Sequence, residues 1–297
     1  MIKNAYFFGI LTVLFWSTSA TAFKLSLKYL DVLQLLFFSV SIATIVLALF
    51  LLITGKVSEL FSLSLREYIA YACLGFLNPF IYYWMAFKAY DLLPAQIVQP
   101  INYTWAITLI LLSVPLLKQT FNRFDFIATI VCYLGVVVVS VKDHTNGVLQ
   151  EIDYWGVFLA VSCTLIWALY WIFNIQQKRD PLVGIFLNFL FSLPFILGAC
   201  LLFSEVRIPS TEGLIGAIWV GCFEFGFTFV TWITALRLAK QTNAITNLIF
   251  LTPFVSLVFI YFVLGEQIAF KTIIGLVMII AGLLFQKYAS SILKINR

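Results

Sequence analysis

Apolar residues along this chain run in long blocks separated by short polar breaks. The blocks cover residues 4–23, 32–53, 68–88, 93–113, 122–141, 154–175, 181–203, 212–236, 243–264 and 270–289. Each is close to the roughly 20 residues that a helix needs to cross a hydrocarbon layer about 30 Å thick. Inside a block the apolar residues fall on all sides rather than in a stripe, so there is no polar face to meet water. The pattern predicts an all-α polytopic membrane protein with ten transmembrane helices. The first block follows Lys3 and ends in Ala20-Thr21-Ala22, the outline of a cleavable signal peptide. It is as long as a full span, and the internal repeat described below needs it, so it is read as the first membrane helix.

Composition agrees. Of 297 residues, 63% are hydrophobic and 10% charged, where a soluble domain carries about 25% charged residues. The lipid bilayer is therefore the first expected partner. Phe, Tyr and Trp are abundant, but lipid-facing bulk and interfacial belts account for much of that. Cys73, Cys132, Cys163, Cys200 and Cys222 all lie inside apolar blocks without metal-ligand spacing, so no disulfide, metal or cofactor is expected. The net charge of +5 bears on topology rather than on nucleic acid. With ten spans, the side holding the N-terminus collects 12 of the 18 Lys and Arg residues, Lys56, Arg66, Lys178, Arg179 and Arg237 among them. The other side has Lys24, Lys28, Lys88, Lys142, Arg207 and Lys271. The positive-inside rule then puts both termini in the cytoplasm and the chain in the cytoplasmic (inner) membrane.

The two halves echo one another. Trp16 and Trp167 occupy the middle of the helix that opens each half. Aligning Gly135 with Gly282 lays Gln119 on Glu266 and Ala106 on Pro253 without a gap. Five helices is an odd number, so a second copy must lie upside down in the membrane. The expected architecture is two inverted five-helix repeats, residues 1–143 and 144–297, an arrangement that secondary transporters use to hold substrate at the midplane.

These residues resemble the drug/metabolite transporter superfamily, in particular its EamA-type members. The resemblance runs over the whole chain: ten helices in two halves, a Trp with small residues in helices one and six, Thr252-Pro253 followed by Leu264-Gly265-Glu266, and Gly275 with Gly282. The first half departs, with Ala106 in place of the proline and Lys118-Gln119 in place of Gly-Glu. Asn102-Tyr103-Thr104-Trp105 is similar to a motif of bacterial aromatic amino acid exporters, without its proline. What the resemblance implies is carrier-mediated movement of small metabolites, often as efflux.

Glu224 is the outlier among the apolar blocks. It lies near the middle of its span, where an isolated carboxylate costs at least about 2.5–3.5 kcal/mol. Such a group is partnered, faces a water-filled cavity, or carries a proton. Phe227, Thr228 and Thr231 follow at i+3, i+4 and i+7 and are expected on its face. Glu224 is thus the candidate for contact with a substrate amine and for proton coupling; the competing reading is a helix–helix hydrogen bond. Other polar or aromatic residues at depth are candidates for the same cavity: Trp16 and Ser17; Asn78 and Tyr82; Gln96, Gln99 and Asn102; Trp167, Tyr170, Trp171 and Asn174; and Asn247 with Thr252. For each the alternative is an interhelical hydrogen bond, worth about 0.6 kcal/mol on average in membranes. Lys24 and Lys88 are expected to snorkel to the interface, Glu266 to cap or pair at the membrane edge, and His144 to sit in a solvated loop.

The expected function is secondary transport of a small metabolite, an amino acid or a similar amphipathic solute, by alternating access with a proton gradient as one possible energy source. No phosphate-binding loop is present to use ATP. An anionic substrate would call for Lys or Arg at mid-membrane, and none is there. Two other classes stay open. A sensor or assembly subunit would need a soluble domain to carry its signal. An intramembrane enzyme would need paired acids, a zinc-type His pair or a nucleophile with a base, whereas this chain has one buried acid.

Overall fold

The computed structural model describes residues 2–118, 121–141, 143–145, 148–150, 152–205, 207–239, 245 and 247–295. Gln119, Lys142 and Lys240 lie outside them. Among the described residues, ten helices are long and apolar enough to span a membrane: α1 (Asn4–Ser26), α2 (Val32–Ile53), α3 (Leu65–Leu92), α4 (Ala95–Leu117), α5 (Arg123–Ser140), α6 (Tyr154–Asn174), α7 (Pro181–Phe203), α8 (Thr211–Leu238), α9 (Asn247–Leu264) and α10 (Phe270–Tyr288). They follow the apolar blocks, with α3 extended by several residues at both ends. Two short antiparallel strands, Asp143–Thr145 and Val148–Gln150, form a hairpin in the connection between α5 and α6. His144 belongs to that hairpin, in the connection between the halves.

The helix starts are written in the polar breaks. Asp31 caps α2, its Oδ1 accepting the Leu33 N–H at 2.8 Å and the Gln34 N–H at 3.0 Å. Asp180 does the same for α7, with Pro181 in the first turn and the Leu182 N–H at 2.9 Å. Ser64 caps α3 and Ser210 caps α8. In each case a short polar side chain takes an amide that the helix itself leaves unpaired, and in lipid that amide has no water to fall back on. The same residue type therefore opens α2 and α7, and the same opens α3 and α8.

Packing follows a paired scheme. α1 packs on α8 and α9, while α6 packs on α3 and α4; α2 pairs with α7 and α5 with α10. The α5–α10 crossing is close, because Gly135 and Gly275 meet there. A Cβ on Gly275 would fall 2.3 Å from Val139 Cγ2 and 2.7 Å from the Gly135 carbonyl oxygen. Small residues at such crossings let membrane helices gain contact area that the hydrophobic effect cannot supply inside lipid. The outer faces carry Ile53, Leu202, Phe203 and Phe262, all highly exposed, as a lipid-facing surface would.

Three helices are not regular. α3 widens into a π-type turn at Phe76–Ile81, α8 at Val220–Gly226 and α9 at Ile260–Leu264. In α3 the cause is Pro79, which has no N–H to donate and disfavours helical backbone at the residue before it. Asn78 accordingly takes φ −147° and ψ 121°. In α8 the wide turn leaves the Phe223 carbonyl to the Thr228 hydroxyl, which donates to it. Such turns change which residues share a helix face, and both α3 and α8 carry one at nearly the same depth.

Candidate functional site

Glu224 belongs to the wide turn of α8 and reaches Ser19 of α1 and Tyr83 of α3. Its Oε1 accepts a hydrogen bond from the Tyr83 hydroxyl at 2.7 Å, and its Oε2 accepts one from the Ser19 hydroxyl. Both partners are neutral. The carboxylate is 9% exposed, and that remaining surface opens on a cavity of about 290 Å³. Among the described residues 18 line the cavity; ten of these are aromatic, and none is Lys, Arg or His. The volume is at the lower edge of the range for small-molecule sites. A carboxylate held by hydroxyls in an aromatic chamber has no countercharge of its own. A cationic solute or a proton could meet that deficit.

The aromatic walls are themselves fixed. The Tyr82 hydroxyl and the Asn102 amide bond one another, with Asn102 Nδ2 to Tyr82 Oη at 3.1 Å. The Tyr82 ring lies on Trp167 with centroids 4.6 Å apart. Tyr90 donates to Gln99 Oε1 at 2.5 Å. Trp16 meets Trp232 at 5.9 Å and Trp105 meets Trp167 at 6.4 Å. The cavity runs from Phe23, Tyr90 and Gln99 at one end to Ile175, just past α6, at the end nearer the N-terminus.

Of the residues singled out from the sequence, the structure brings Glu224, Trp16, Tyr82, Gln99, Asn102, Trp167 and Trp171 to this cavity. It places the others elsewhere. Ser17 is fully buried and donates to the Val13 and Thr252 carbonyls, tying α1 to α9. Asn78 is fully buried behind the cavity wall, and Tyr170 accepts from Asn188 Nδ2 at 3.1 Å. Asn174 takes the same amide at 3.3 Å. Asn247 accepts from Lys287 Nζ at 2.5 Å. Thr228 serves the α8 wide turn, and Thr231 meets Thr12 of α1 at 2.8 Å. Phe227 is 36% exposed and packs on Phe50, centroids 5.8 Å apart. The expected spacing assumed 3.6 residues per turn, and the wide turn at Glu224 rotates Phe227 out of that face.

Lys24 also departs from expectation. Rather than snorkelling, Nζ turns to the Tyr90 carbonyl at 2.7 Å and the Leu93 carbonyl at 3.1 Å. Lys88 pairs with Asp91 at 2.7 Å. Sequence reasoning missed Ser19, Tyr83, Tyr90 and Trp232 as cavity residues, and met Tyr103 only within the exporter-like motif. Tyr83 carried a weak signal: the Pro79 disruption frees two successive tyrosines to face inward.

This geometry can be set beside known proteins. The model of the EamA-like transporter family matches twice, over residues 3–141 and 154–286. The chain belongs to the EamA-like transporter family. An uncharacterized transporter of Archaeoglobus fulgidus is 24% identical over 281 residues, covering 92% of this chain and 95% of that protein. The uncharacterized transporter YoaV of Bacillus subtilis is 26% identical over 297 residues, covering 95% and 97%. A solved crystal structure at 18% identity superposes with a TM-score of 0.68 over 98% of this chain and 99% of that one, which shows a shared fold. This member of the EamA-like family is a multi-pass membrane transporter, and its candidate solute chamber is the aromatic cavity at Glu224.

Proposed function

We propose that the protein is a secondary transporter that exports a small amphipathic metabolite bearing an amine, such as an amino acid, across the cytoplasmic membrane. The observation that carries this reading is Glu224: a carboxylate of α8 bonded to two neutral hydroxyls on α1 and α3 and opening on an aromatic chamber whose described lining holds no cation. The solute amine sits against Glu224 and the aromatic rings, where cation–π contact adds about 0.5–2 kcal/mol. A proton satisfies the same carboxylate, so amine and proton compete for it. That competition couples inward proton movement to outward solute movement.

Movement is by alternating access between residues 1–143 and 144–297 acting as two inverted five-helix units. The packing scheme supports this. Exchanging the halves turns the α1–α8 contact into α6–α3 and α1–α9 into α6–α4, and returns α2–α7 and α5–α10 to themselves. Both termini lie in the cytoplasm, in keeping with the Lys and Arg distribution.

The test is export from cells overproducing the protein, with amino acids in the medium measured against a Glu224→Gln control made and inserted at equal level. The expected result is a rise in one chemical class that the control lacks. A rise in both strains would keep the carrier and remove Glu224 from the mechanism.

A further inference from the structure

Away from the N-terminus the cavity ends at Phe23, Tyr90 and Gln99. One helical turn beyond Gln99 stands Gln96, and across from it Glu266, in the turn joining α9 to α10. Glu266 lays its carboxylate over the start of α4. Oε1 accepts the Ala95 N–H at 2.9 Å and Oε2 the Gln96 N–H at 3.1 Å. Gln96 bonds in the opposite direction. Its Nε2 donates to the Gln267 carbonyl at 2.8 Å, and its Oε1 accepts the Ala269 N–H at 2.9 Å and the Thr272 hydroxyl at 3.2 Å.

Five hydrogen bonds therefore tie α4, in the first half of the chain, to the α9–α10 connection and the first turn of α10 in the second. Two of them are charge-assisted and aligned with the α4 dipole, the favourable geometry for a carboxylate. Lys24 completes the rim inside the first half by holding the end of α1 to the Tyr90 and Leu93 carbonyls. At the opposite end the cavity reaches Ile175, which is 64% exposed.

An ordinary interhelical bond would explain one such contact. This set differs in two respects: five bonds between the two halves converge on one place, and that place lies over the end of the cavity. Polar bonds at a membrane edge exchange for water at small net cost, whereas an interdigitated apolar seam does not. That is the property a two-state closure needs.

We propose that Glu266 and Gln96 form the latch of the gate that shuts the cavity on the side away from the N-terminus. Releasing it opens the cavity to that side. The proposal rests on the alternating-access reading above, and it gives Glu266 a working role beyond capping a helix.

The test uses the full chain with its five native cysteines in place and Ala86→Cys added on the cavity wall. A charged, membrane-impermeant maleimide is applied from either face of the membrane, and labelling is read at residue 86 by peptide mass spectrometry. Labelling of the parent is expected from the N-terminal face and to be slow from the other. Adding Glu266→Ala, or separately Gln96→Ala, is expected to raise far-face labelling about ten-fold or more, the scale of losing charge-assisted bonds. Where Glu266→Ala fails to insert or melt cooperatively, Glu266→Gln keeps the side-chain volume and removes the charge. Far-face labelling unchanged in both latch variants would overturn the proposal, as would a parent labelled equally from both faces. Labelling needs no transported solute, so failure of the carrier reading would appear in the export assay alone.

Discussion

Tyr83 and Glu224 meet across the two halves of the chain, hydroxyl to Oε1 at 2.7 Å. Tyr83 is 2% exposed, with Phe225 edge-on at 4.5 Å and Phe87 at 5.6 Å. Its ring cannot swing away, so Glu224 keeps one donor whatever occupies the cavity. Tyr83→Phe preserves that ring packing and deletes the donor. A hydrogen bond to a charged group is worth about 1.5–3 kcal/mol, so the variant should lose roughly that much stability. Thermal melting of the purified protein in detergent measures it, and an unchanged melt would mean that Glu224 does not depend on this contact.

How much of this could be read from residue order depends on which physics each feature uses. Span length and the polar caps were legible, because lipid leaves a helix no other way to satisfy its first amides; Asp31 and Asp180 announce α2 and α7 plainly. Glu224 was legible because charge at mid-membrane is costly. Its partners were not. Ser19 and Tyr83 lie 205 and 141 residues away from it, and nothing local distinguishes them from packing. Phe227 was misplaced for a different reason. Helical spacing assumes a regular turn, and the π-type turn at Val220–Gly226 has no local signal as strong as Pro79 provides in α3. Lys24 was misread because carbonyls at the end of α3 offered an alternative to the interface that only the fold brings near.

The Gly135–Gly275 crossing makes a sharper claim on packing. A Cβ at Gly275 would lie 2.3 Å from Val139 and 2.7 Å from a backbone oxygen, so the backbone itself must yield. Gly275→Leu should separate α5 from α10 and cost about 2–4 kcal/mol, above the usual range for overpacking, because a carbonyl cannot rotate aside. Gly198 in α7 supplies the control, since nothing lies within 4 Å of its added Cβ. Gly198→Ala should be neutral or slightly stabilising. Melting temperatures of the two variants side by side decide the matter; similar losses in both would mean that the crossing is looser than the distances indicate.

Asp180 carries the pH prediction. It lies outside the spans and joins three helix ends: it caps α7 through the Leu182 N–H at 2.9 Å, and its Oδ2 takes Lys56 at 2.5 Å and Arg237 at 2.6 Å. Partial burial works against the charged form, but the bonds from Lys56 and Arg237 outweigh it and hold the carboxyl below its ordinary value. A carboxyl lowered on folding stabilises the protein above the unfolded value of about 3.9, and that contribution fades as pH falls through the lower folded value. Asp180→Asn keeps a competent cap and removes both ion pairs, at a cost of about 1 kcal/mol near neutrality. The difference in melting between parent and variant should therefore stay constant from neutral pH down to roughly pH 5 and shrink below about pH 4. A difference that grows as the solution is acidified would show that Asp180 is not held in its charged form by Lys56 and Arg237.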